Sequence, residues 1–254
     1  MGLGICSRDF EEDAVKVERL FWKGCMRMSI ISRLMGVHSR APRIFLIGFN
    51  RCATRTITTF FRDNGYASVH WGRGSVAAGI ELAEMEGKPL LSYTPNYLVY
   101  GDLEYVSVKR DLDKVFKRRV FRRLQSRLEK KDVKPIYAYK KFRELHKQYP
   151  GSKFILNIRD VDDWIASRIR FLENGYHACD HGWKVHRSQE ELNNCGRAHW
   201  DNHISAVRKF FDSHQGDLLE FNLDRDGPDK FVNFFPEMNL DVKHWGHYHK
   251  TKPD

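Results

Sequence analysis

The sequence predicts an α/β fold, an open and mostly parallel sheet flanked by helices on both faces, and three stretches carry that prediction. Residues 43 to 64, RIFLIGFNRCATRTITTFFRDN, run from an apolar strand (Ile44 to Ile47) through a turn opened by Gly48. Apolar positions Ile57, Phe60 and Phe61 then return at helical spacing. Residues 153 to 171, KFILNIRDVDDWIASRIRF, repeat the design, with Asp160 as N-cap of a helix on which Trp164, Ser167 and Phe171 recur. Residues 217 to 235, DLLEFNLDRDGPDKFVNFF, give a strand, a turn at Asp226-Gly227-Pro228 and a helix. Open sheets built this way gather their ligands at the carboxyl ends of the strands.

The 254 residues are enough for one such domain with a sizeable core, and 41% hydrophobic and 30% charged content are ordinary for a globular chain. Residues 1 to 42 read as an N-terminal helical extension and residues 43 to 254 as the domain. A net charge of +10 points to an acidic partner: a polyanionic cofactor, an anionic acceptor, nucleic acid or a membrane surface. The five cysteines, Cys6, Cys25, Cys52, Cys179 and Cys195, are odd in number and at no metal spacing, so reduced thiols in a cytoplasmic setting are expected. No stretch reaches the length of a membrane helix and the N-terminus lacks the apolar h-region of a secretory signal, so a Golgi-type membrane-anchored enzyme is not expected.

Met1-Gly2-Leu3-Gly4-Ile5-Cys6-Ser7 approaches a myristoylation signal, but Cys6 stands where Ser or Thr is wanted, which argues against lipidation. From Ala14 to Met35 the apolar residues fall on one helical face with basic residues on the others. Packing against the domain is expected ahead of lying on a membrane surface. Pro42 leads into the first strand. In the turn that follows, unpaired N–H groups of a helix N-terminus and the helix dipole point the same way, which makes an anion site. Its candidate residues are Asn50, Arg51, Cys52, Ala53, Thr54, Arg55 and Thr56, whose arginines and threonines favour phosphate.

Asn64-Gly65 stops the helix, and Ala67 to Trp71 reads as a second strand ending near the turn. His70 is the candidate general base, because imidazole titrates near neutrality, with Asp102 and Glu104 in reserve. A structural histidine beside Trp71 is the alternative. A helix from Val76 to Glu86, a turn at Gly87-Lys88-Pro89 and a strand at Leu90-Leu91-Ser92-Tyr93 follow. Tyr93, Tyr97, Tyr100 and Tyr105 are read as core ahead of pocket lining. Residues 109 to 134 hold twelve Lys or Arg against four Asp or Glu, with Leu112, Phe116, Val120, Leu124 and Leu128 recurring every four residues. This is a basic amphipathic helix whose charged face is solvated by default and meets an anionic acceptor as the alternative. Nucleic acid ranks third, since no aromatic interleaving accompanies the charge. Residues 138 to 150 read as a helix. The polar segment from Asn174 to Asn194 reads as a loop over the acceptor, and its His177, Cys179, His181 and His186 lack zinc spacing. Trp200, His203, Ile204, Val207 and Phe211 mark one more helix.

On these residues the chain resembles sulfotransferases that use 3′-phosphoadenosine 5′-phosphosulfate, PAPS. In that family the first strand leads into a loop written roughly K-x-G-T-[TR]-x-L, which cradles the 5′-phosphosulfate. Arg51-Cys52-Ala53-Thr54-Arg55-Thr56-Ile57 is similar to it, closest to the heparan sulfate branch, with Arg51 for the lysine and Ala53 for the glycine. The family also sets an Arg at a strand end and a Ser eight residues later on the 3′-phosphate, the spacing of Arg159 and Ser167. A basic segment near the family's C-terminus folds over the 3′-phosphate and adenine, which makes Lys250 and Thr251 candidate contacts. The resemblance covers roughly residues 43 to 71 and 150 to 250. It implies a P-loop NTPase-like sulfotransferase fold, PAPS as cofactor and PAP as product.

The implied reaction is in-line transfer of a sulfuryl group to a hydroxyl or amine of a small-molecule or glycan acceptor. Arg51 would stabilise the bridging oxygen, His70 or Asp102 would take the proton, and no metal or specific nucleic acid is called for. Two rivals stay open. One is a P-loop-type kinase of a nucleotide or small molecule: Gly48 and Ala53 have the Walker glycine spacing, but Thr54 stands where the Walker lysine belongs. The other is a non-catalytic polyanion-binding protein. Acceptor identity and oligomeric state are left open.

Overall fold

The apolar run at residues 44 to 47 becomes the central strand of a parallel sheet. The structure is a computed structural model that describes residues 41–105, 136–173 and 188–246. In chain order the strands are β1 (Ile44–Leu46), β2 (Ser68–His70), β3 (Val99–Gly101), β4 (Glu104–Tyr105), β5 (Ile136–Tyr137), β6 (Lys153–Ile158) and β7 (Leu218–Asn222). The main sheet has the order β2-β3-β1-β6-β7 with every pair parallel, while β4 and β5 form a separate antiparallel pair. The helices are α1 (Thr54–Asp63), α2 (Ser75–Met85), α3 (Phe142–Gln148), α4 (Val161–Glu173), α5 (Gln189–Phe211) and α6 (Asp229–Phe234).

Strand alternation divides the core between the two faces. Phe45, Ile47, Phe154 and Leu156 pack with Ala77 and Ile80 of α2, Phe142 of α3, Trp164 of α4 and Val207 of α5. Ile44, Leu46 and Ile155 pack on the other face with Ile57, Phe60 and Phe61 of α1 and Phe231 of α6. The helices that follow β1 and β6 therefore lie on opposite faces, and their loops diverge. This divergence opens a crevice between the carboxyl ends of β1 and β6, the switch point where open α/β sheets bind ligands.

Several boundaries follow the sequence closely. Asp160 caps α4, its Oδ1 accepting from the backbone N–H of Asp162 at 2.9 Å and of Asp163 at 3.1 Å. After α1, Gly65 takes φ 89° and the Tyr66 N–H reaches back to the Phe61 carbonyl at 2.9 Å. Two expectations are overturned. Leu90 to Tyr93 is a turn, with Ser92 N–H donating to Pro89 and Thr94 N–H to Leu91, and the strand beside β1 is Val99–Gly101 instead. Pro89 and Pro95 bracket the turn, and burial of Leu90 and Leu91 gave it the look of a strand. The end of the polar segment, residues 189 to 194, is the start of α5, capped by Ser188 and Glu191 in a capping box. The extension to residue 40, the whole basic stretch at 109 to 134, the histidines at 177, 181 and 186, Lys250 and Thr251 lie outside the described residues.

Candidate active site

Gly48 follows β1, and its chain runs so close to β6 that a Cβ there would stand 2.0 Å from the Asn157 carbonyl oxygen. Asn157 ties the turn down. Its Oδ1 accepts from the Gly48 N–H at 3.2 Å, and its Nδ2 donates to the carbonyls of Phe49 and Cys52, each at 2.9 Å. Phe49 is sunk between Trp164 and Trp200, at centroid distances of 4.7 and 4.8 Å. With these inward groups satisfied, Arg51 and Ala53 turn the chain through the left-handed region at φ 66° and 61°. Ala53 is the N-cap of α1 and no side chain caps it, so the first-turn N–H groups face the crevice with the helix dipole behind them. The left-handed φ at Ala53 also accounts physically for a glycine at that position in the resembling loop.

Across the crevice, Arg51 Nε donates to Ser167 Oγ at 3.1 Å. The sequence reading set these residues at opposite ends of one ligand; the structure joins them by a hydrogen bond, because β1 and β6 are neighbours. Arg159 is at the end of β6, its Nη2 3.1 Å from Asp163 Oδ2 and its Nε buried without a hydrogen-bond partner. On the other side, at the ends of β2 and β3, His70 Nε2 lies 3.2 Å from Thr54 Oγ1 and 3.4 Å from Asp102 Oδ2. Asp102 Oδ1 is buried with no partner.

Residues 43–183 match the family described as the sulfotransferase domain. The chain belongs to this sulfotransferase family. No curated protein matches the sequence.

The charges of this sulfotransferase site are mixed, with arginines set beside Asp102, Glu104 and Asp163. Burial of its guanidinium, then Arg159, Arg168 and Arg170, hold the Arg51 pKa below its ordinary value, while Asp102 acts in the opposite sense. Burial first, and Glu104 second, raise the Asp102 carboxyl to about 7. The thiol of Cys52 is fully buried and its pKa is raised by desolvation, so it serves as packing under the loop. Cys52 and Cys195 are both free thiols. Glu104, held in reserve as a base, is instead buried in an ion pair with Arg168. Arg55 is exposed on the first turn of α1, and Thr54 and Thr56 are buried beside it. Tyr100 and Tyr105 lie in the core, and the Tyr100 hydroxyl donates to the Pro95 carbonyl at 2.9 Å. Asn157, Phe49 and Arg168 were missed from sequence. An asparagine inside an apolar strand, where β propensity disfavours it, was the available signal for the first. Among the described residues no cluster of His, Cys, Asp and Glu could hold a metal, and no helix is long and apolar enough to cross a membrane.

Proposed function

We propose that the chain transfers a sulfuryl group from PAPS to a hydroxyl or amine of a small-molecule or glycan acceptor, in a cytoplasmic, reducing setting. The observation that carries this reading is the β1–β6 crevice, where a left-handed, uncapped helix start faces Arg51, Arg159 and Ser167. The residues fit the donor on structural grounds. The Arg159 Nε is buried and unpartnered, the start of α1 carries no side-chain cap, and Arg51 and Arg159 are close enough to act on one another, which suits an anionic ligand. When bound, PAPS supplies an activated sulfuryl group.

The chain's own groups divide the work. Asn50, Cys52, Ala53, Thr54, Arg55 and Thr56 form the loop that receives the 5′ end. Arg159 and Ser167 take the 3′-phosphate. Arg51 stands at the β1 end of the crevice and holds positive charge where negative charge builds on the leaving oxygen, a preorganised contribution that needs no rearrangement during reaction. His70 Nε2 faces the loop and accepts the acceptor proton, and Asp102 beside it, only partly ionised near neutrality, stabilises the imidazolium in its charged form.

Thermal shift tests the reading. PAP should stabilise the protein without magnesium, by about 2.7 kcal/mol at a hundredfold excess over Kd. Adenosine 5′-phosphate, lacking the 3′-phosphate, should do far less. Stabilisation by ATP only with magnesium would identify a kinase, and stabilisation by heparin alone, lost in salt, a polyanion binder.

A further inference from the structure

Arg168 looks at first like one more cation for the donor, yet its geometry assigns it elsewhere. It is 4% exposed, and Glu104, which it pairs with, is 3% exposed. Its Nη1 donates to Glu104 Oε2 at 3.1 Å, its Nη2 to Glu104 Oε1, and Nη1 also donates to Asn50 Oδ1. The outer nitrogens are thus committed, and a group so enclosed is not open to a phosphate. One helical turn earlier on α4, Trp164 Nε1 donates to the Asn50 carbonyl at 3.1 Å. Asn50 is therefore held at both its side chain and its backbone by α4, one residue before the left-handed turn at Arg51.

We propose that Arg168 is a positioning residue for sulfuryl transfer: fixed by Glu104, it grips Asn50 and so sets the backbone of residues 51 to 53 in the shape that receives the 5′ end of the donor. The part concerning the donor rests on the PAPS reading above; the part concerning the loop does not. The bidentate fork explains the choice of arginine, since a lysine ammonium presents a single point of charge and cannot span a carboxylate and an amide in fixed geometry. Glu104 belongs to β4, so the brace joins the β4–β5 pair to the loop through α4.

The test separates positioning from mere stability. Removing one partner of a buried ion pair strands the other, whereas replacing both with apolar side chains of similar volume is often tolerated. The double variant Arg168→Met, Glu104→Met should keep its Tm near that of the wild type. Hydrogen exchange across residues 48–56 of the free protein should accelerate, and the Kd for PAP should rise about tenfold or more, the worth of one hydrogen bond from a charged donor. Arg168→Lys should recover part of that loss. Asn50→Ala keeps the ion pair whole and should show the same loop exchange with an unchanged Tm, which decides the matter even where the double variant does not fold. Unchanged exchange across 48–56 in Asn50→Ala, or in a folded double variant, would overturn the proposal. A wild type that ignores PAP would instead bring down the donor reading, while the exchange comparison still judges Arg168.

Discussion

The two ends of the main sheet handle the same backbone problem differently. At the amino ends of the strands, the positions with positive φ are glycines: Gly65, Gly87, Gly151 and Gly216. For Gly65, Gly87 and Gly216 nothing lies within 4 Å of where a Cβ would be, so each is a turn residue that any sequence would choose. At the carboxyl ends of β1, β2 and β3 positive φ values fall on Gly72 and Gly74 but also on Arg51, Ala53, Trp71 and Asp102, and among the described non-glycine residues only Asn239 shares the property elsewhere. A non-glycine residue held there costs on the order of 1–3 kcal/mol and persists only where its surroundings impose it. The amino end shows what turning costs when only folding matters. The carboxyl end accepts strain in order to place Arg51, Asp102 and, next to Trp71, His70.

Breaking the carboxyl end chemically should have the largest effect. His70→Ala is expected to lower kcat by about 10²–10⁴-fold while leaving the Kd for PAP nearly unchanged, and titration calorimetry beside steady-state rates checks both halves. A variant that turns over normally would remove His70 from the mechanism.

An intermediate effect concerns pH. The folded Asp102 carboxyl titrates at about 7 against an ordinary 3.8, so the fold favours its protonated form. Its contribution to stability is complete below about pH 4, declines as pH rises toward 7 and is constant above. Asp102→Asn should therefore gain Tm over the wild type at pH 8 and show little difference at pH 4, and the pH–rate limb near neutrality should shift. His203 runs the other way: burial holds it near 4, neutral, beside the Ile47 carbonyl 2.7 Å from its Nε2. Its contribution is present above about 6.5 and is lost as pH falls toward 4, so acid melts of His203→Gln should flatten over that range.

The smallest expected effect is the most direct contrast between the two ends. Ala53→Gly relieves a left-handed alanine and should raise stability by up to about 1 kcal/mol after the added freedom of the unfolded chain is counted. Gly216→Ala imposes the same strain at the quiet end and should lower stability by about 1 kcal/mol with kcat unchanged. Denaturant midpoints of matching sign for both substitutions would dissolve the distinction between the ends.

Much of this was legible in residue order, for reasons that are local. The strands at 44–46 and 153–158, the cap at Asp160, the stop at Asn64-Gly65 and the helices they bound all rest on patterns within a dozen residues. The loop residues from Asn50 to Thr56 could be singled out because a strand, a turn and a helix start in sequence make an anion site the natural expectation. The edges of the site could not. That Glu104 is spent on Arg168, that Arg51 meets Ser167 and that Asn157 secures the loop are contacts spanning from 64 to 116 residues, which no periodicity announces. The strand at Val99–Gly101 was passed over because three residues carry too little alternation, while Leu90-Leu91 attracted the assignment by hydrophobicity alone.

Asn157 has a consequence for how the molecule comes together. Its one amide closes the loop from across a strand pair whose register matches Ile44 to Lys153 and Leu46 to Ile155. The segment after β1 consequently gains these three hydrogen bonds only once the two central strands have zipped in the correct alignment. Slippage by a single position would turn the amide to the opposite face and release the turn. On the proposed function, binding of PAP should accordingly emerge late in refolding, together with closure of the sheet's centre rather than with formation of α1, and a PAP-binding signal would time that closure.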